Sequence, residues 1–300
     1  MTNRRQFILA SAATLAASQT LLHQRALAAQ TDRKHPICVF TKPFNSLSFD
    51  ELADRIAELG FDGIEAPIRR GGHIEPEQVA DRLPELVEAL QKRDLVISVM
   101  TSDINDPDDP LTEKVLRTAA TLGIERYRMK YVHYDLREPV SKQIANWNAQ
   151  FRALAALNHD IGIRGLYQNH AGAENMGAAI WDLAQVLAGI PVADIAVAYD
   201  IRHAMVEGSQ SWPVTFQVIQ PHIDTIYVKD YQWNDRKLKN VPLGEGFVNK
   251  SFFRLLEDTV FAGPISLHEE YLDHRRPELV PEHLAAIKKD MEQLQRWLSA

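Results

Sequence analysis

Ile195-Ala196-Val197-Ala198-Tyr199-Asp200-Ile201-Arg202-His203 is the stretch from which the fold is read. An apolar run of this length, with no polar residue to face water, reads as a parallel strand buried on both faces. Its carboxyl end is then closed by an acid, a guanidinium and an imidazole. Outward from it the same pattern recurs along the chain. Strands are expected over 37–41, 63–68, 96–101, 126–130, 165–169, 195–200, 225–229 and 264–267. Stretches of helical period fall between them, over 49–59, 76–93, 111–122, 141–159, 178–188, 213–220, 250–259 and 281–298. Ser48 before the first helix and Gly60 after it fit helix caps. Eight alternating pairs in strict sequence predict a closed (β/α)8 TIM barrel, α/β in class, a single domain over 35–300, rather than an open doubly wound sheet. No G-x-G-x-x-G or Walker loop points elsewhere.

The chain has 300 residues, 45% of them apolar and 24% charged, enough core for one large domain without disulfide staples. Cys38 is the single cysteine, which excludes an intramolecular disulfide and a cysteine-based zinc site. The formal charge of −7 argues against a nucleic-acid partner.

The amino terminus reads as an export signal. Asn3-Arg4-Arg5-Gln6-Phe7-Ile8 opens it, an apolar run to Leu22 follows, and Ala26-Leu27-Ala28 is a small-residue cleavage site. It looks like a twin-arginine signal over 1–28, followed by a polar linker over 29–34. Ser11, Thr14, Ser18, Gln19, Thr20 and His23 dilute the run below a membrane-spanning helix. The expectation is a periplasmic protein, cleaved near Ala28, that engages the twin-arginine export machinery and keeps no stable membrane anchor. Removing Arg4, Arg5 and Arg25 takes the formal charge from −7 to −10.

In a barrel, chemistry belongs at the carboxyl ends of the strands. There stand Glu65 with Arg69, Arg70 and His73; Lys130 and His133; Gln168, Asn169 and His170; Asp200, Arg202 and His203; Lys229 and Asp230; and His268, Glu269 and Glu270. The opposite ends carry few such groups, so one site for a polar ligand is expected. Structural alternatives stand beside each. Asp200 could cap the next helix with His203 satisfying it. Glu65 could pair with Arg69 or Arg70, and Lys229 with Asp230 at the surface. Glu269 should alternate to the barrel exterior. Trp212 and Trp233, in loops after strands six and seven, could stack on a sugar ring or pack against the rim. His73 could be only a loop residue.

Tyr199-Asp200-Ile201-Arg202-His203-Ala204 resembles the D-x-x-H motif at the sixth strand of the xylose isomerase-like sugar isomerase/epimerase superfamily, which is related to endonuclease IV. Tyr167-Gln168-Asn169-His170-Ala171-Gly172 is similar to the fifth-strand motif. Gly60-Phe61-Asp62-Gly63-Ile64-Glu65 is similar to the second. Val228-Lys229-Asp230, Pro242-Leu243-Gly244-Glu245-Gly246 and Gly263-Pro264-Ile265-Ser266-Leu267 resemble the last two. The resemblance implies a divalent metal at the barrel mouth that polarises a sugar carbonyl while a carboxylate shuttles a proton. Three positions depart from the family's ligand pattern: Gln168 for glutamate, Tyr227 for histidine, and His268 for glutamate with Glu270 two residues on.

Two arrangements therefore stay open. Asp200, His203, His268 and Glu270 could form a rewired site for zinc or manganese. Alternatively the site works without metal: Lys229, Arg202, His170 and His268 stabilise an oxyanion, and Glu65 or Glu270 is the base. One Asp-x-x-His pair is a thin ligand set, which tilts the reading toward the second. Catalytic roles are expected of Glu65, Lys229, Glu270 and His170, and substrate contacts of Gln168, Asn169, Arg202, His73, Lys130, Trp212 and Trp233. The activity expected is an isomerase or epimerase acting on an unphosphorylated sugar or keto-sugar by proton abstraction beside a carbonyl. A keto-glycoside lyase or dehydratase of the same fold, and a non-catalytic carbohydrate-binding barrel, are the alternatives. An abasic-site endonuclease is opposed by the acidic charge and by export.

Overall fold

A computed structural model describes residues 35–299; the export signal expected over 1–28 and the linker over 29–34 lie outside the described residues. The barrel strands are β1 (Ile37–Phe40), β2 (Gly63–Pro67), β3 (Val96–Thr101), β4 (Arg126–Arg128), β5 (Arg164–Gln168), β6 (Ile195–Asp200) and β7 (Ile223–Val228). A hairpin of β8 (Asp230–Asn234) and β9 (Lys237–Val241) intervenes before β10 (Ile265–Leu267), the last barrel strand. All neighbours in the barrel are parallel, and β10 closes it against β1 with Ile265 opposite Ile37. The protein is a single (β/α)8 barrel.

The helices are α1 (Phe49–Glu58), α2 (Val79–Gln91), α3 (Thr112–Thr121), α4 (Val140–Ile161), α5 (Trp181–Val186), α6 (Ile201–Gly208), α7 (Trp212–Ile219), α8 (Ser251–Glu257) and α9 (Val280–Leu298). Local chemistry sets their ends. Ser48 caps α1 through a capping box: its hydroxyl accepts the Glu51 N–H at 3.3 Å, and Glu51 accepts the Ser48 N–H at 3.0 Å. Gly162, with φ of 78°, ends α4 in the left-handed conformation. The helix expected over 178–188 is shorter because Gly177 and Ile180 hold positive φ and keep the chain out of the helical region until Trp181. Among the described residues no helix is long and apolar enough to cross a membrane.

Strand alternation builds the interior. Val99, Leu166, Ala196, Ala198 and Tyr227 pack together inside the barrel, whereas Ile195, Val197 and Tyr199 belong to the layer between strands and helices. Continuing the parity to the carboxyl ends turns Gln168 and Asp200 inward, with Glu65, Arg128 and His268 likewise. Glu269 has the opposite parity, as expected, and pairs with His283 of α9. Two sequence expectations are corrected. The amino ends are not poor in charge, since Arg126 and Arg164 both pair with the buried Asp224 there. Trp212 and Trp233 are not in loops: Trp212 opens α7 and Trp233 lies on β8, opposite Leu238.

Candidate active site

Three carboxylates, each engaged by cations or donors, organise the mouth. Glu65, at the end of β2, is fully buried. Thr101 donates to its Oε1 at 2.6 Å; Ser266 and His268 Nε2 reach its Oε2, each at 2.8 Å; and Arg128 Nε stands 3.8 Å from Oε1. Burial opposes ionisation, but His268, Arg128 and Thr101 outweigh it and hold the carboxyl at about 2. Glu65 therefore pairs with Arg128 and His268, not with Arg69 or Arg70; Arg70 lies at the surface near Glu77.

Asp200 combines the two readings open to it. Its Oδ1 accepts the His203 N–H at 3.0 Å and caps α6, while Oδ2 accepts from Gln168 Nε2 at 2.7 Å and lies 3.1 Å from Lys229 Nζ. Burial is outweighed by His203 and Lys229, so the carboxyl sits below the usual range. Asn169 fixes the same strand end by accepting the Asp200 N–H at 2.7 Å and donating to the Asp200 carbonyl at 3.1 Å.

Lys229 is the centre of the site. Its ammonium is buried and stands 3.1 Å from Asp200 and 3.1 Å from Glu270 Oε2, and Lys42 holds Glu270 Oε1 at 3.1 Å. Burial would lower the Lys229 pKa, yet Asp200 and Glu270 raise it above the ordinary value. The same partners work in reverse on Glu270, where Lys229 and Lys42 overcome burial and hold the carboxyl low. Lys229 does not pair with Asp230. That carboxylate accepts four main-chain N–H groups, from Tyr231, Gly244, Gly246 and Val248, and orders the loop around itself. Only glycine fits at 246, because a Cβ there would meet the Tyr231 carbonyl and the Asp230 carboxylate.

Imidazoles line the β5 and β6 side. His170 and His203 have ring centroids 3.9 Å apart, and burial lowers the pKa of both. Arg202, a donor only, lies 2.9 Å from His203 Nδ1, so the neutral ring carries its proton on Nε2, 3.6 Å from Asp200 Oδ2. The His170 Nδ1 lies 2.9 Å from the Ala171 carbonyl and 3.1 Å from the Asn175 amide nitrogen; it donates to the first in one tautomer and accepts from the second in the other, and neither bond uses Nε2.

The structure thus brings together Glu65, Gln168, Asn169, His170, Asp200, Arg202, His203, Lys229, His268 and Glu270. Others stand apart. Lys130 is exposed and lines an outer cavity of about 330 Å³ with Asp103 and Leu111. His73 bonds Thr41 Oγ1 at 2.9 Å, and burial lowers its pKa to about 4. Trp212 packs on Phe252, with centroids 6.0 Å apart. Trp233 is 46% exposed beside Tyr231. Sequence reading passed over Arg128, which donates to Gln168 Oε1 at 2.7 Å, and Tyr131, whose hydroxyl donates to the same oxygen. It also passed over Lys42. Parity on β4 would have found Arg128, between the core residues Tyr127 and Met129.

The proposed metal ligands do not converge. Among the described residues no group of three or more His, Cys, Asp or Glu could hold a metal ion. Lys229 stands between Asp200 and Glu270, and His268 turns its Nε2 to Glu65. As placed, these donors fit an ammonium and not a divalent cation.

Fold and site together define a (β/α)8 barrel with a charged, largely buried site at the carboxyl mouth. The chain belongs to the xylose isomerase-like TIM barrel family, whose model matches residues 53–297. Among similar solved structures, the probable 3-DHS dehydratase AsbF from Bacillus anthracis is 15% identical with a TM-score of 0.68, covering 87% of this chain and 98% of its own. The 3-keto-D-glucoside 4-epimerase YcjR from E. coli is 14% identical with a TM-score of 0.64, over 85% and 98%. A xylose isomerase-like TIM barrel protein from Mycobacterium smegmatis, in complex with magnesium, is 16% identical with a TM-score of 0.64, over 88% and 97%. Such identities speak for the fold alone. No curated protein matches the chain in sequence.

Proposed function

We propose that the protein is a carbohydrate isomerase or epimerase that acts on an unphosphorylated sugar or keto-sugar by removing a proton beside a carbonyl. One observation carries the reading: the Lys229 ammonium, buried between Asp200 and Glu270 at the mouth of a barrel of this family. A C–H beside a carbonyl becomes acidic only when the enolate oxygen is stabilised where it forms and a base stands near. Lys229 is the stabilising charge. Glu270 is the base, being the carboxylate with solvent contact, 20% exposed and held by two lysine ammoniums alone, whereas Glu65 is fully buried among Thr101, Ser266, His268 and Arg128. Glu65 positions Arg128 and His268. As Lys229 turns to the forming enolate oxygen it loosens its hold on Glu270, whose proton affinity rises as the proton arrives. Return of that proton to the neighbouring carbon, with the hydroxyl proton passing from one oxygen of the enediol to the other, isomerises the sugar. Protonation of the same carbon on its other face, by a second, protonated donor, epimerises it.

The same enolate can instead expel a β-leaving group, which makes a lyase or dehydratase the nearest alternative; one neighbour of the fold carries a dehydratase name. A binding barrel without turnover is favoured by the saturation of Glu65 and Asp200. Incubating mature protein in deuterated water with ketoses and keto-glycosides, followed by NMR, tests the proposal. Deuterium at a carbon beside the carbonyl is expected. Saturable sugar binding with no exchange on any of them would leave the binding barrel.

We further propose periplasmic residence through the twin-arginine route. This rests on the amino-terminal sequence alone.

A further inference from the structure

One corner of the mouth, at the ends of β1, β2 and β4, holds positive charge that the site's own carboxylates do not use. The Phe40 ring has Arg128 Cζ at 5.3 Å, Lys42 Nζ at 5.6 Å and Arg69 Cζ at 5.9 Å from its centroid. Lys42 is spent on Glu270. Arg128 donates to the neutral Gln168 and has Glu65 no nearer than 3.8 Å, while Glu65 also serves Thr101, Ser266 and His268. The Arg69 guanidinium forms no hydrogen bond or ion pair among the described residues. Asp103, the further carboxylate on this side, accepts the Arg70 N–H. Burial, and then the charge of Arg128, work against the ionised form of Arg69. At this corner itself Lys42, Arg69 and Arg128 stand with Glu65, Glu270 and Asp103, and of the three cations only Arg69 has no carboxylate in ion-pair reach.

We propose that this corner is an anion subsite for the carboxylate of an acidic sugar, a uronate or aldonate, with Arg69 and Arg128 as its donors. The inference rests on the reading of the mouth as a sugar site and names the substrate class. Planar guanidinium forks match a carboxylate, and the Phe40 ring gives them an apolar floor. Gln168 links Arg128 to Asp200 and hence to Lys229, and Lys42 links the same corner to Glu270. A sugar anchored there by its carboxylate lies across the ammonium and the base.

Calorimetry on mature protein tests this with glucuronate, galacturonate and gluconate, each beside its neutral counterpart, and with glucose 6-phosphate. The acids are expected to bind about tenfold tighter or more, the order expected of one charge-assisted bidentate contact. That advantage should shrink with salt, disappear in Arg69→Gln and be kept in part by Arg69→Lys. Equal binding of acid and neutral sugar overturns the proposal. So does an advantage that survives Arg69→Gln, or a stronger preference for phosphate. Deuterium exchange in the same wild-type preparation separates the two readings. Exchange on neutral keto-sugars without acid preference overturns the subsite alone. Acid preference without exchange supports the subsite and overturns the catalytic reading alone.

Discussion

Glu65 and Glu270 have the same side chain at the carboxyl ends of two strands, and their surroundings give them different work. Glu65 has every oxygen occupied and no exposure, so removing its charge leaves Arg128 and His268 without an anion. Glu65→Gln is expected to cost about 3–5 kcal/mol in denaturant unfolding, as loss of one partner of a buried pair does. The sign with pH follows from its lowered value. Its stabilisation is complete above the unfolded range near 4.5, and is lost as pH falls toward about 2. Glu65→Gln should therefore flatten the acid limb of a stability profile. Glu270→Gln takes one carboxylate from the buried Lys229, which keeps Asp200, so it should cost less in unfolding than Glu65→Gln, while deuterium exchange falls on the order of 100-fold or more. Sequence alone marked both residues, because a charge ending an apolar strand stands out. It could not divide their roles, which depend on Ser266, Thr101 and Lys42 arriving from other strands. Arg128 went unmarked because it stands inside the strand expected over 126–130 and not at its end, and Tyr131 and Lys42 because they lie past strand ends with no periodic signal.

The loop from Pro242 to Val248 is ordered by two carboxylates from different elements. Asp230 of β8 accepts three of its N–H groups, and Asp290 of α9 accepts the Leu243 N–H at 2.9 Å. Burial raises Asp290 to about 7, with hydrogen bonds from Leu243 and Tyr271 offsetting only part of this. A raised carboxyl favours the fold while protonated, so its contribution falls as pH climbs from the usual 3.8 toward 7 and is level beyond. Asp290→Asn keeps an acceptor for Leu243 without the charge. Its melting temperature relative to wild type is expected to rise between pH 5 and pH 8; a constant difference would mean that Asp290 does not titrate there. The β/α alternation was legible because buried parallel strands are continuously apolar. The β8–β9 hairpin was not, although Tyr231 and Trp233 alternate ahead of an Asp235-Arg236 turn, because the barrel pattern left no place for it.

At the scale of the whole molecule, the barrel gathers residues from seven strand ends into one charged mouth, and β10 closes on β1 to complete it. The resemblance seen in short motifs proved to be family membership over most of the chain. The ligand set that the family implied did not assemble, for a reason no single motif contains: the ammonium of β7 stands between carboxylates from β6 and β10. Export belongs to this scale as well. Fractionated cells should hold a shortened chain in the periplasm, and Arg4→Lys with Arg5→Lys should retain it full-length inside. The central claim is that Lys229 does at this mouth what a metal would otherwise do. The direct measurement is deuterium exchange by exhaustively chelated protein, set beside the Lys229→Met variant. Exchange that survives chelation and falls about 100- to 1,000-fold in Lys229→Met is expected. Exchange abolished by chelation and restored by manganese or zinc would contradict the account.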